Sequence, residues 1–205
     1  MYARFTETTT DSSKRKQLEE IAIESIIPAA RQQKGFKGVL FATNSEGRGV
    51  FVSFWESKEA LQATESSGYY NEQLAKIRDA VTAPTVRHTG EVAALEVASK
   101  TAKAARLTVS SPRAEVLDQE RQTAGELAKR ASREPGFCAW FGIVSEDGKA
   151  IALSAWESGD ALERSAKTYM AEALSKLKER VTEPPRQTVL DVLAAELPAA
   201  VGIPR

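Results

Sequence analysis

The sequence predicts an α+β protein made of two consecutive β-α-β-β-α-β repeats. Three observations carry this. First, the stretch FWESKEAL, from Phe54 to Leu61, returns as AWESGDAL, from Ala155 to Leu162. Second, the match extends outward in register. Gly35-Phe36 aligns with Gly136-Phe137, Gly47 with Gly148 and Ser53 with Ser154, and after a one-residue slip Leu74, Val81 and Pro84 align with Leu174, Val181 and Pro184. Third, both repeats change from strand to helical hydrophobic spacing in the same order. The repeats, residues 1–100 and 101–205, far exceed the roughly 20–50 residues of a solenoid unit. Each has the size of a small domain.

The elements follow in order. Residues 2–8, YARFTET, alternate as a strand, and TTDSS supplies turn and helix-capping residues. Residues 14–33 carry Leu18, Ile21, Ala22, Ile26, Ala29 and Ala30 at helical spacing. Pro28 is expected to kink that helix or end it early, since proline lacks an N–H and crowds the preceding turn. The second repeat has no proline there. After Gly35, residues 39–43 form a strand, NSEGRG a hairpin turn, and residues 50–55 the next strand. Ser57 caps a helix whose first turn holds Glu59, at the positive end of the dipole. Residues 71–81 are helical, Pro84 stops them, and residues 86–97 form the last strand. In the second repeat the elements fall at 105–110, 114–133, 140–144, 150–156, 158–181 and 188–197.

This order is that of the ferredoxin-like split βαβ. Its sheet carries helices on one face only, so the other face also needs cover. The expectation is that the two repeats pack their open sheet faces together within one chain.

Composition narrows the function. With 28 basic and 28 acidic residues the chain is formally neutral, which argues against a nucleic-acid or anionic-membrane surface. No apolar run is long enough to span a bilayer, and the N-terminus does not read as a secretory signal. A single cysteine, Cys138, cannot form an internal disulfide, so a reducing compartment, the cytoplasm, is expected. One cysteine and one histidine exclude a Cys/His zinc site within the chain, and no metal site is expected.

The third strand of each repeat separates two faces. Val50, Val52 and Phe54, matched by Ile151, Leu153 and Ala155, are apolar and are expected under the helices, together with Phe5 and Leu107. The opposite phase holds Phe51, Ser53 and Trp55, matched by Ala152, Ser154 and Trp156. With Arg4, Thr6, Arg106 and Thr108 it is expected to face the other sheet. The tryptophans have two readings: packing, with each indole N–H finding a partner, or walls of a pocket whose polar groups are Arg4, Arg106, Ser53 and Ser154.

A Gly-Phe pair opening a strand, a hairpin, then W-E-S-x-x-A-L opening a helix resembles the dimeric α/β-barrel superfamily, and within it the antibiotic biosynthesis monooxygenase-like domains. The resemblance covers essentially the whole chain, once per repeat. It implies an intramolecular dimeric α/β barrel in which the last strand of each repeat crosses to the edge of the other sheet. The haem-degrading branch has a histidine ligand on the second helix of its unit, and a second tryptophan after the motif tryptophan. Here NEQLAKIRDAV and AEALSKLKERV contain no histidine, and Thr64 and Ser165 stand at the second tryptophan's place.

What the resemblance implies is a cofactor-independent monooxygenase-like protein, acting on or binding a small aromatic molecule of phenol or quinol type. The alternative is a non-catalytic ligand-binding or scaffold protein of the same fold. No cofactor is expected, and whether the chain is an enzyme stays open at this point, because no Ser/His/Asp or Cys/His set is assembled twice. The site is expected in the first repeat, between sheet and helices or at the barrel mouth. Arg4 is a candidate to hold a phenolate or carboxylate through its fork of donors, and His88 to take a proton. Trp55, Tyr69, Tyr70, Ser53 and Asn44, with Trp156 and Arg106, are candidates to contact substrate. Bulky Trp140 and Phe141 are expected to fill the matching space in the second repeat. The chain is a pseudo-dimer by itself, with further homodimerisation left open.

Overall fold

The computed structural model describes residues 1–98 and 101–198. The first repeat runs β1 (Tyr2–Thr9), α1 (Arg15–Ile21), a π-helical turn (Ala22–Ile26), α2 (Ile27–Arg31), β2 (Phe36–Thr43), β3 (Arg48–Trp55), α3 (Lys58–Ser66), α4 (Tyr69–Ile77) and β4 (Val86–Val97). The second runs β5 (Ala104–Ser110), α5 (Leu117–Ala131), β6 (Phe137–Ser145), β7 (Ala150–Trp156), α6 (Gly159–Lys167), α7 (Tyr169–Lys178) and β8 (Arg186–Glu196). Both repeats therefore have the expected ferredoxin-like βαββαβ order.

The chain divides into two compact units. One comprises Met1–Thr89 with Asp191–Pro198, the other Gly90–Leu190. In the first unit β3 lies between β1 and β2, and β2 pairs on its other side with Asp191–Glu196 of β8, all antiparallel. In the second unit β7 lies between β5 and β6, and β6 pairs with Gly90–Val97 of β4. Each repeat's last strand thus gives its second half to the sheet begun by the other repeat.

Pro28 does not end its helix. It widens it. The Ile27 N–H reaches back five residues to the Ala22 carbonyl, which relieves the crowding that the proline ring imposes on a regular α-turn. In the second repeat, without the proline, α5 is an unbroken helix of 15 residues.

The repeated motif is explained piece by piece. Gly35 and Gly136 sit at φ +81 and +80, and a Cβ on either would lie 2.6 or 2.7 Å from the Cβ of Ala60 or Ala161. Gly and Ala of the motif therefore specify one close approach between the strand entry and the following helix. Phe36 and Phe137 meet Trp55 and Trp156 edge-on, with ring centroids 5.8 Å apart in both repeats. Ser57 and Ser158 cap α3 and α6 by accepting from the N–H of Ala60 and Ala161.

The two sheet faces are the reverse of the expectation. Arg4, Ser53 and Trp55 point toward the helices, and so do Arg106, Ser154 and Trp156: the two arginines bond to α3 and α6, and each serine accepts from the tryptophan on its own face. The apolar phase, with Phe5, Val50, Val52 and Phe54 at 0% exposure, lies on the face turned away from the helices. The polar phase can be buried under helices because its polar atoms find partners there.

Candidate functional site

The first unit encloses a cavity of about 60 Å³ between its sheet and its helices. The floor comes from one face of β1, β2 and β3: Arg4, Thr6 and Thr8, then Phe41, then Phe51, Ser53 and Trp55. The π-helical turn contributes Ala22 and Ile26, and α4 contributes Tyr69, Tyr70 and Gln73. The walls are mostly apolar, with Arg4, Ser53 and the two tyrosines at one end and the hydroxyls of Thr8, Thr10 and Thr43 at the other, the usual make-up of a small-molecule site.

Arg4 is the buried cation of this site, 2% exposed. Its Nη2 donates to the Leu61 carbonyl (3.3 Å), the Thr64 hydroxyl (3.0 Å) and the Glu65 carboxylate (2.9 Å). The guanidinium also lies 4.1 Å above the Tyr70 ring, a cation–π contact. Its Nε is buried without a hydrogen-bond partner, which costs free energy unless a ligand or water accepts from it. Burial lowers the Arg4 pKa, opposed chiefly by the Glu65 charge.

The two tyrosines differ. The Tyr70 hydroxyl is engaged with the Thr6 hydroxyl at 3.1 Å. The Tyr69 hydroxyl has no partner among the described residues, and burial pushes its pKa up to about 12. It therefore stays protonated at neutral pH and offers both a donor and an acceptor to the cavity. Trp55 donates its N–H to the Ser53 hydroxyl at 3.0 Å, so the indole is a packed wall whose polar atom is already satisfied.

Of the expected site residues, Arg4, Ser53, Trp55, Tyr69 and Tyr70 come together. The others do not. His88 is buried, with Nε2 3.7 Å from a Glu7 oxygen, and is absent from the cavity lining. Glu7 alternates with Thr6 and Thr8 along β1, so this pair lies on the face opposite Arg4. Asn44 turns its carbonyl oxygen onto the N–H groups of Glu46 and Arg48 in its own hairpin. Arg106 and Trp156 belong to the second unit. There Arg106 donates to the Leu162 carbonyl and the Ser165 hydroxyl, repeating the Arg4 contacts without an acid at the place of Glu65. Sequence reasoning missed Thr6, Thr64 and Glu65. The recurrence of a hydroxyl three residues after Leu61 and Leu162 was the available signal.

In the second unit the end of this space near Arg106 and Tyr169 is filled, and a cavity of about 50 Å³ stays open beyond it, between Thr108, Gly142 and Ala152. The Trp140 N–H donates to the Tyr169 hydroxyl at 2.7 Å, and Trp140 packs in one apolar cluster with Trp156, Tyr169 and Ala128. Phe141 is not part of this filling: it pairs with Leu153 in register, on the face turned away from the helices. Among the described residues no group of three His, Cys, Asp or Glu is placed to hold a metal ion, and no helix is long and apolar enough to cross a membrane.

Residues 1–76 match the family model described as antibiotic biosynthesis monooxygenase. No curated protein matches this sequence. Three solved structures share the fold. A protein of Fusobacterium nucleatum described as a putative monooxygenase is 12% identical with a TM-score of 0.79, covering 98% of this chain and 95% of its own. An anthrone oxidase-like protein is 18% identical with a TM-score of 0.72, covering 98% and 96%. A heme-degrading enzyme of Listeria monocytogenes is 10% identical with a TM-score of 0.56, covering 93% and 99%. At these identities the likeness is one of fold.

Proposed function

We propose that the first repeat is the ligand-binding half of a monooxygenase-like protein, and that its ligand is a small aromatic molecule of phenol or quinol type. The observation that carries this is the buried Arg4 Nε left without a partner in an otherwise apolar cavity. A neutral apolar ligand would leave that donor unsatisfied. An aromatic ring bearing an ionised oxygen fills the apolar space and accepts from the guanidinium, and a charge-assisted hydrogen bond is about twice as strong as a neutral one. The cation lowers the pKa of a bound phenol and so favours the electron-rich phenolate. In oxygenation without metal or flavin, that anion is the species that passes an electron to oxygen, while the protein supplies a dry, preorganised surround.

A second reading is favoured by one observation. The titratable residues lining the cavity are Arg4, Tyr69 and Tyr70, with no carboxylate or histidine among them to take a proton. A site with a cation and a neutral phenol, and no base, is sufficient for binding an already acidic ligand. Under this reading the protein holds or carries its ligand and does not transform it.

Thermal-shift screening of the full chain against substituted phenols and quinols tests the shared claim. Compounds with an acidic hydroxyl should raise Tm in the wild type, and Arg4→Met should abolish the preference for acidic over neutral compounds. If no compound stabilises the wild type, or if Arg4→Met responds as the wild type does, the assignment of this site is wrong. Oxygen uptake with the best-stabilising quinol separates the enzyme from the carrier.

A further inference from the structure

The second repeat shows what occupies this space when the chain fills it itself. Arg4, Ser53, Trp55 and Tyr69 all line the first-repeat cavity. Their counterparts are Arg106, Ser154, Trp156 and Tyr169, and none of these lines the cavity of about 50 Å³ in the second unit; Trp140 does. Trp140 stands opposite Ser154 in the sheet, as Val39 stands opposite Ser53. The exchange of valine for tryptophan is accompanied by two others along the same faces. Phe41 and Phe51, which touch one another at 6.0 Å between ring centroids, become Gly142 and Ala152. The indole uses the room this leaves: a Cβ on Gly142 would lie 2.9 Å from Trp140 Cη2.

From this correspondence the geometry points to Trp140 as a built-in occupant of a second copy of the site, and to a first-repeat ligand whose smaller aromatic ring takes the place of the indole's N–H edge and donates an N–H or O–H to the Tyr69 hydroxyl. The inference rests on the reading that this cavity binds a small aromatic. It adds the position of the ring, the polar contact and a size limit.

Three features support it. The Tyr169 hydroxyl accepts from an aromatic N–H at 2.7 Å, whereas Tyr69, at the same place in its repeat, has no partner for its hydroxyl among the described residues. Trp140 packs with Trp156 and Tyr169 and stands opposite Ser154, the counterparts of Trp55, Tyr69 and Ser53 that line the first cavity. Phe41 and Phe51 close the end over which the indole extends in the second repeat, so the first-repeat ligand is a single six-membered ring, smaller than indole. A quinol meets the description with one oxygen ionised at Arg4 and the other donating to Tyr69.

Phenol itself is the probe, titrated calorimetrically into the full chain. The wild type should bind one equivalent. Val39→Trp combined with Phe41→Gly, the pair of residues the second repeat has, should bind none, because the new side chain occupies the place. Trp140→Gly should bind two, because a second place opens. Anisole, which lacks the donor, should bind the wild type about fivefold more weakly, the size of one neutral hydrogen bond, and Tyr69→Phe should erase that difference. Undiminished phenol binding by the double variant with a native near-ultraviolet spectrum overturns the inference. So does a Trp140→Gly variant that folds and gains no site, a readout that stands even if the double variant does not fold. Acidic phenols that bind in an Arg4-dependent way while phenol itself does not bind at all would overturn this inference alone and leave the proposed function standing.

Discussion

Removing one hydroxyl from each repeat should have unequal consequences. Ser53 and Ser154 accept the indole N–H of Trp55 and Trp156 at 3.0 and 3.1 Å, and the two tryptophans are 1% and 0% exposed. Changing either serine to alanine deletes an acceptor and leaves a buried donor. With no replacement the cost is about 1–3 kcal/mol, and for a chain of this length each kcal/mol lowers Tm by about 2–4 °C. Ser154→Ala meets this condition, because neither Ser154 nor Trp156 borders the second-unit cavity and Trp156 packs against Trp140 and Tyr169. Ser53→Ala does not. Ser53 and Trp55 border about 60 Å³ of open space, several times the roughly 10–15 Å³ that a water molecule needs. A water there can accept from the Trp55 N–H and donate to the Tyr69 hydroxyl, at a cost in entropy of about 0–2 kcal/mol. Ser154→Ala should therefore lower Tm by roughly 4–8 °C for a mid-range penalty, and Ser53→Ala by less than half as much. Differential scanning calorimetry of the two variants decides it. If Ser53→Ala is as damaging as Ser154→Ala, the first-repeat space does not admit water to the indole, and the asymmetry argued between the repeats is wrong.

Two further predictions concern the framework. Gly35→Ala places a side chain at positive φ and against Ala60, so it should cost about 2–5 kcal/mol in total; adding Ala60→Gly should recover the part due to crowding but not the backbone strain, and additivity of the two in a urea-denaturation cycle would refute the contact. Tyr69 and Tyr169 are both pushed up to about 12 by burial. A proton held more tightly in the folded state stabilises it fully below the unfolded value, near pH 10, and this stabilisation is lost as pH rises from there toward 12. Stability should fall over that window, and less steeply in Tyr169→Phe, as followed by thermal denaturation at stepped pH.

The duplication, the element order and the capping role of Ser57 were legible because each depends on local chemistry that recurs at a fixed offset. The choice of sheet face was not. Strand alternation separates Phe5, Val50, Val52 and Phe54 from Arg4, Ser53 and Trp55, but it does not say which set meets the helices. The usual assumption sends the more apolar set there. It fails here because the helix-facing polar groups are paired in sequence-distant ways, Arg4 with Leu61, Thr64 and Glu65. The serine–tryptophan pairs were within reach of sequence reasoning, since residues two apart in a strand share a face. His88 was chosen for its titration range alone. Its place beside Glu7 follows from the pairing of β4 with β1, a contact between strands about 80 residues apart in the chain. Trp140 and Phe141 were expected to fill the second repeat on bulk alone; Trp140 does so beside Tyr169, and Phe141 does not because alternation puts it on the other face, opposite Leu153.

The pairing of β2 with the end of β8 has a consequence during synthesis. Residues Val39–Thr43 hydrogen-bond to Asp191–Glu196, so the outer edge of β2 leaves the ribosome long before its partner exists. At about 5–20 residues per second the interval is roughly 8–30 s, while hairpin formation with β3 takes microseconds. The nascent chain therefore carries a preformed hairpin with one open, apolar edge, and such an edge is a template for pairing with another chain. Slower translation should therefore lengthen the exposure of this edge, and chaperone binding to it should protect the nascent chain.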